Sequence, residues 1–156
     1  LKMKSTGVSD VNIITIYIFY NLIYALSAFP AGIIADKWGI KNTFLFGLIL
    51  FIAVYIGFAF VNLEIGYWIL FFIYGIYAAC TEGIAKAWIT NIVPGTSAGT
   101  AIGAYTGLAS MAAFGASALA GVLWAVFGPE VAFGFTVCVV TVVVLYLMRV
   151  PAATKA

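Results

Sequence analysis

Residues 32–42 read GIIADKWGIKN, and the placing of this stretch decides the fold. Asp36, Lys37 and Lys41 fall within six positions, in a chain whose charged residues make up 8% of the whole. On either side the sequence is almost purely apolar, over 11–34 before the knot and 43–61 after it. A polar knot between apolar runs of that length marks the turn between two helices that cross a bilayer.

Working outward, three further apolar runs follow at 67–90, 99–126 and 131–148, separated by short polar breaks. At about 1.5 Å per residue, runs of about 20 residues cross a hydrocarbon core about 30 Å thick. A β-barrel would instead alternate polar and apolar residues in pieces of about 10, and no such alternation runs through these segments. The last run, of 18 residues, is near the lower limit for a span, and the fourth, of 28, must tilt or protrude. With 65% hydrophobic residues and a mean hydropathy of +1.18, too few polar side chains exist to build a water-facing exterior. The expected fold is an all-α integral membrane protein, a single transmembrane domain over 1–156 with five transmembrane helices at those runs.

Several classes are excluded by what is missing. The first apolar run is too long for the core of a signal peptide, and no convincing small-residue cleavage site follows it. The chain has no histidine, and Cys80 and Cys138 lie inside predicted spans as small apolar residues without a paired framework. No phosphate loop, metal-ligand cluster or Ser–His pair is present, so an enzyme is not expected, nor is any cofactor. GTSAGTAIG at 95–103 is glycine-rich but enters a membrane helix and follows no strand. The weak positive charge is distributed for orientation, which argues against nucleic acid as a partner; the partner in contact is membrane lipid.

Lysine and arginine content sorts the breaks into two sides. Lys37, Lys41, Lys86, Arg149 and Lys155 fall on one side, Lys2 and Lys4 on the other, where the turns around Glu64 and Glu130 contain neither residue. The first side is the expected cytoplasmic face, with the N-terminus outside. Trp38, Trp68, Trp88 and Trp124 each lie near a predicted span end, the usual depth of an interfacial belt.

The knot itself then falls on a short cytoplasmic turn. Gly32 and Gly39 permit close backbone approach, Asp36 can accept from free amides at a helix N-terminus, and Lys37 and Lys41 hold the turn in the interface. On this physics alone it is an anchor that sets orientation. Its spacing, Gly32, Asp36, Lys37, Gly39 and Lys41, resembles the signature loop of the major facilitator superfamily of secondary transporters, although Ile40 stands where that family often has a basic residue. The resemblance implies a conformational latch, which hinders sliding of the two halves through charge contacts with a neighbouring helix.

A second stretch, TEGIAKAWITNIVPGTSAGTAIGAY at 81–105, carries the resemblance further. Glu82, Gly83, Lys86, Ala87, Val93, Pro94, Gly99, Thr100 and Ala101 look like the tenth helix, cytoplasmic turn and eleventh helix of a bacterial subgroup. Asn91 and Ala98 replace an Asp and an Arg frequent there, so both members of a charge pair are missing together. The resemblance covers about 5–148 and places the five spans as the family's helices eight to twelve. Helices two to six would fit the latch equally, but a long central loop should then follow, where RVPAATKA stands instead. Helix seven and the N-terminal half of the transporter would be missing, and a chain that begins at Leu1 rather than Met leans toward truncation.

Polar residues within the spans are the candidate site. Glu82 and Lys86 are four residues apart in the favourable order for an ion pair. Because a lone carboxylate in hydrocarbon costs at least about 2.5 kcal/mol, Glu82 should pair with Lys86, couple protons or contact substrate. Tyr17, Asn21 and Tyr24 share one helical face, and Asn21 must bond either another helix or a solute in a cavity. Tyr74, Thr81 and Tyr105 are further cavity candidates. In the fourth run, Gly99, Gly103, Gly107 and Gly115 form a stripe of small residues suited to close helix packing, static or moving. The resemblance implies part of a secondary active transporter of the bacterial inner membrane, moving a small-molecule substrate by alternating access, with proton coupling. A non-transporting five-span module, serving as a scaffold or regulatory subunit, is the alternative.

Overall fold

The computed structural model describes residues 2–150; Lys155, counted above on the cytoplasmic side, lies outside them. A short helix α1 (Lys2–Ser5) precedes five long ones: α2 (Asp10–Trp38), α3 (Ile40–Phe60), α4 (Glu64–Ile92), α5 (Ala98–Phe127) and α6 (Pro129–Arg149). A single 3-10 turn, Gly95–Ser97, joins α4 to α5, and no strand occurs among the described residues. The protein is thus an all-α membrane protein in which five helices are long and apolar enough to cross a bilayer.

The helices outrun the apolar stretches that announce them. At 29 residues each, α2 and α4 are about 43 Å long, more than the hydrocarbon requires. Hydropathy ends at the headgroups, whereas the backbone ladder continues until a cap or breaker stops it. The first hairpin therefore has one non-helical residue, Gly39, between Trp38 and Ile40. Its φ of +90° is open to glycine and strained for any residue with a Cβ. Its amide donates to the Ala35 carbonyl at 3.0 Å and its carbonyl accepts from the Thr43 amide at 3.1 Å, closing α2 and opening α3.

Helix α4 is the hub, packed on both α2 and α3, while α6 lies on α3 and α5 rests mainly on α6. The closest approaches run through small residues. A Cβ added to Gly75 of α4 would meet the Ile23 Cβ at 2.9 Å and the Tyr20 carbonyl at 3.1 Å, both on α2. One added to Gly47 of α3 would meet Thr81 and Cys80 of α4 at 2.7 and 3.0 Å. Ala31 of α2 packs with Ala79 and Cys80 of α4 beside them. Cys80 is therefore the small buried residue expected, and like Cys138 it is unbonded. In the absence of a hydrophobic drive between helices in lipid, such backbone proximity supplies the dispersion contacts that hold a bundle.

The glycine stripe on α5 does not work in this way within the chain. Added Cβ atoms at Gly99, Gly103, Gly107 and Gly115 would meet nothing within 4 Å, and α5 has no buried residue. Phe114 on the same helix is 80% exposed. The expectation of a packing element holds for α3 and α4 instead, because neighbours, and not the regularity of a stripe, decide which glycines are used.

Aromatic side chains order the bundle along its axis. Each tryptophan meets a ring: Trp68 with Phe19 at 5.2 Å, Trp88 with Phe44 at 5.9 Å, Trp38 with Phe46 at 6.3 Å and Trp124 with Phe133 at 5.7 Å. Lysines tie α3 to α6 at both ends. Lys41, on the first turn of α3, donates to the Val150 carbonyl that caps α6. Lys2 donates to the Ala59 carbonyl on the last turn of α3 at 3.1 Å and pairs with Glu130 of α6 at 3.6 Å. Lys4 pairs with Asp10 at 3.1 Å, so both lysines that run against the charge rule are partnered by acids. Lys41→Met should lower stability by about 1–2 kcal/mol, the net value of a charged donor on a helix-end carbonyl. Thermal unfolding in detergent checks this, and an unmoved midpoint would remove Lys41 from the α3–α6 tie.

Candidate functional site

The site is the face that α2 and α4 present together. The small residues Ala31, Gly75 and Ala79 draw the two helices into close contact, so long side chains flanking that contact converge on its edge. From α2 come Tyr17, Tyr20, Asn21 and Tyr24, and from α4 come Tyr74, Tyr77 and Glu82. The rings of Tyr20 and Tyr74 lie 5.2 Å apart across the seam, with Tyr17 5.7 Å from Tyr20 and Tyr77 5.1 Å from Tyr74. Glu82 lies close to Tyr24 at the edge of the seam.

Depth along the helix gives Glu82 its significance. It precedes Trp88 of the aromatic belt by six residues, about 9 Å along the axis, whereas Lys86 precedes it by only two. Glu82 is therefore at hydrocarbon depth and Lys86 at the interface. Both are exposed, and among the described residues no ion pair joins them. The favourable spacing is not used because Glu82 turns across the seam toward Tyr24 while Lys86 remains at headgroup level, where a long amine reaches water.

The other candidates separate. Asn21 donates to the carbonyl of Tyr17, one turn back on its own helix, at 2.8 Å, which satisfies half of its amide while leaving it on the open face. Tyr17 is 60% exposed and Tyr24 half-buried beside it. Thr81 requires a correction: it is 6% exposed, lies against Gly47 in the α3–α4 contact and donates to the Tyr77 carbonyl at 2.9 Å. Thr81 is thus taken up by the α3–α4 contact, while Glu82, the next residue, is exposed. Tyr105 stands exposed on α5, outside the Tyr20–Tyr74 cluster.

Tyr20, Tyr77 and Phe51 are part of the cluster and are missed by a reading of the sequence that names Tyr17, Asn21, Tyr24, Tyr74, Thr81 and Tyr105. Phe51 of α3 lies 4.7 Å from Tyr77 and 6.3 Å from Tyr74, ring to ring, extending the aromatic layer behind the seam. The signal was available: Tyr17, Tyr20 and Tyr24 follow the i, i+3, i+7 pattern of one helical stripe, as Tyr74 and Tyr77 follow i, i+3.

The hairpin at the lysine-rich end is helical almost throughout. Asp36 and Lys37 occupy the last turn of α2, where Lys37 is placed favourably against the helix dipole. Asp36 does not cap α3, whose start has no side-chain cap, since it sits on the preceding helix and points outward. It is exposed, and neither Asp36 nor Lys37 has a hydrogen-bond or ion-pair partner among the described residues. A Cβ added to Gly32 would meet nothing within 4 Å, so no helix of this chain uses that close approach. Lys41, in contrast, is committed to α6. Pro30 lies two residues before Gly32 and removes one rung of the α2 ladder.

Among known proteins, a sequence model described as the Major Facilitator Superfamily matches residues 1–156. An uncharacterized MFS-type transporter from Methanocaldococcus jannaschii is 34% identical over 120 residues, which are 77% of this chain and 30% of that protein. The chain therefore spans about a third of the length of the relative it matches. No solved structure matches it.

Proposed function

This chain belongs to the major facilitator superfamily, and from that premise we propose that it is the C-terminal part of a secondary transporter, corresponding to helices eight to twelve. In this reading it moves a small solute across the bacterial inner membrane by alternating access, coupled to protons. The observation that carries it is Glu82, a carboxylate at hydrocarbon depth, exposed on α4 among tyrosines and without an ion-pair partner among the described residues. Such a group costs at least about 2.5 kcal/mol in lipid. It becomes affordable when a hydrated cavity covers it or when it carries a proton, and a proton-coupled transporter needs both states.

The faces left uncovered agree with this reading. Gly32 of α2, Gly83 of α4 and the α5 stripe point at open space, and they are the surfaces that an N-terminal half would meet. Polar side chains at a repeat interface near mid-membrane are the usual setting of a transporter site. In the same reading Asp36 and Lys37, unpaired here, engage that half as a latch, with Gly39 setting the turn and Lys41 fixing it to α6.

The test is flux in proteoliposomes holding the full transporter, with trapped pH dye reporting proton movement as a panel of solutes is added. The 156-residue chain alone should give no solute-dependent signal, and co-reconstitution with its N-terminal half should restore one. A chain that transports alone, or a reconstituted pair silent to every solute while correctly folded, would favour the non-transporting module. Asp36→Asn in the full transporter should slow uptake about tenfold, equivalent to a shift of about 1.4 kcal/mol between conformations. Insertion should be unchanged, and an unaltered initial rate would remove the latch.

A further inference from the structure

Away from the α2–α4 face, the seam between α3 and α6 holds a groove of about 170 Å³. Tyr55, Ile56, Ala59 and Phe60 of α3 line one wall, and Gly134 and Val137 of α6 the other. Its volume is close to the 150 Å³ of an apolar cavity that takes a benzene-sized guest. Gly134 keeps it open, since a Cβ added there would meet nothing within 4 Å. Glu130, Gly134 and Val137 follow an i, i+4, i+7 stripe, so the groove descends about 10 Å from the first turn of α6 into the span.

Glu130 is the one charged side chain in the lining. Its neighbour Lys2 is only 12% exposed and is occupied by the Ala59 carbonyl as well as by Glu130, which is itself 63% exposed. The ammonium is thus consumed by protein acceptors, and the carboxylate is the charge that faces outward. Its depth is that of the Trp124 belt on the neighbouring end of α5, where headgroups lie. The helices that form this seam are long and apolar enough to cross a bilayer, so an apolar channel below a carboxylate that stays 63% exposed beside Lys2 suits an acyl chain below a headgroup.

We infer that the α3–α6 groove is a specific lipid site, holding the upper acyl chain of a phospholipid whose primary ammonium headgroup pairs with Glu130. Charge complementarity selects the class. A primary ammonium donates hydrogen bonds to a carboxylate, a quaternary choline has no N–H to donate, and an anionic glycerol headgroup is repelled. The site is independent of any transport by the chain.

Native mass spectrometry of the full chain, released from nanodiscs with equal phosphatidylethanolamine, phosphatidylcholine and phosphatidylglycerol, tests it. One phosphatidylethanolamine should be retained in about fivefold preference to either competitor, as expected for a single interfacial ion pair of about 1 kcal/mol. Glu130→Gln should bring the three lipids level. Gly134→Leu, whose Cβ would meet nothing within 4 Å and whose side chain adds bulk at the groove wall, should reduce retention of all three. Lys2→Met, which breaks the ion pair but keeps the carboxylate, should preserve or raise the preference, and this separates recognition from a structural role of the pair. Equal retention of the three lipids by the unaltered chain, or a preference for phosphatidylglycerol, would overturn the assignment.

Discussion

Leucine at position 75 is expected to separate α2 from α4 and to destabilise the chain by about 3 kcal/mol or more, the upper range for overpacking a closely packed contact. The first added carbon would already stand 2.9 Å from the Ile23 Cβ and 3.1 Å from the Tyr20 carbonyl oxygen. A β-carbon and a backbone carbonyl cannot swing aside as the end of a flexible side chain can. Relief therefore requires the helices to move apart, which dissolves the Ala31–Ala79 contact beside them and the Tyr20–Tyr74 pair at 5.2 Å. The control is Gly83→Leu, on the same helix two turns on, where nothing lies within 4 Å. Both replacements have the same helix propensity and the same added volume, so their difference isolates the contact. Unfolding in detergent, followed by tryptophan fluorescence, should put the two variants far apart, and equal midpoints would mean that the α2–α4 seam does not hold the bundle.

The contrast between Gly75 and the α5 glycines also marks where sequence reading stops. The five helices are legible because the thickness of hydrocarbon imposes a length on apolar runs, a constraint that acts on each segment separately. Their ends are less so: Asp36 and Lys37 read as a loop because they are charged, yet they extend α2 by its last turn. The backbone ladder does not stop where polarity begins. Packing is the least legible of the three. Added Cβ atoms at Gly99, Gly103 and Gly107, which repeat with helical regularity, would meet nothing within 4 Å, whereas isolated Gly47 and Gly75 lie in close contacts between helices. A stripe reports what a helix could bury, and only the positions of its neighbours determine what it does bury.

The same limit applies to the candidate site. The four-residue spacing of Glu82 and Lys86 is a local fact, and it points to a pair. The approach of α2 through Gly75 is a tertiary fact, and it brings Tyr24 to Glu82 instead. Thr81, one residue before Glu82, is carried by the helix rotation into the α3 contact and away from the open face. Residue type was therefore enough to single out the carboxylate, while its surroundings depended on which face the packing left open.

Glu82→Gln should abolish proton-driven accumulation by the full transporter while leaving exchange of solute down its own gradient intact. Glutamine copies the shape and neutrality of the protonated acid, but it has no proton to release. If coupling passes through Glu82, one pH unit across the membrane supports about tenfold accumulation per proton carried, since one unit is worth about 1.36 kcal/mol. In the variant that ratio should fall to about one. Tyr24→Phe is the companion change: it removes the hydroxyl of the residue close to Glu82 and keeps the ring. It should leave uptake coupled, because the carboxylate that would carry the proton remains. Counterflow, which needs no proton gradient, separates a coupling defect from a damaged cavity. If Glu82→Gln still accumulates solute tenfold, the carboxylate is not the coupling group. If it loses counterflow as well, Glu82 holds the solute itself, and the open tyrosine face between α2 and α4 becomes the binding surface that the carboxylate anchors.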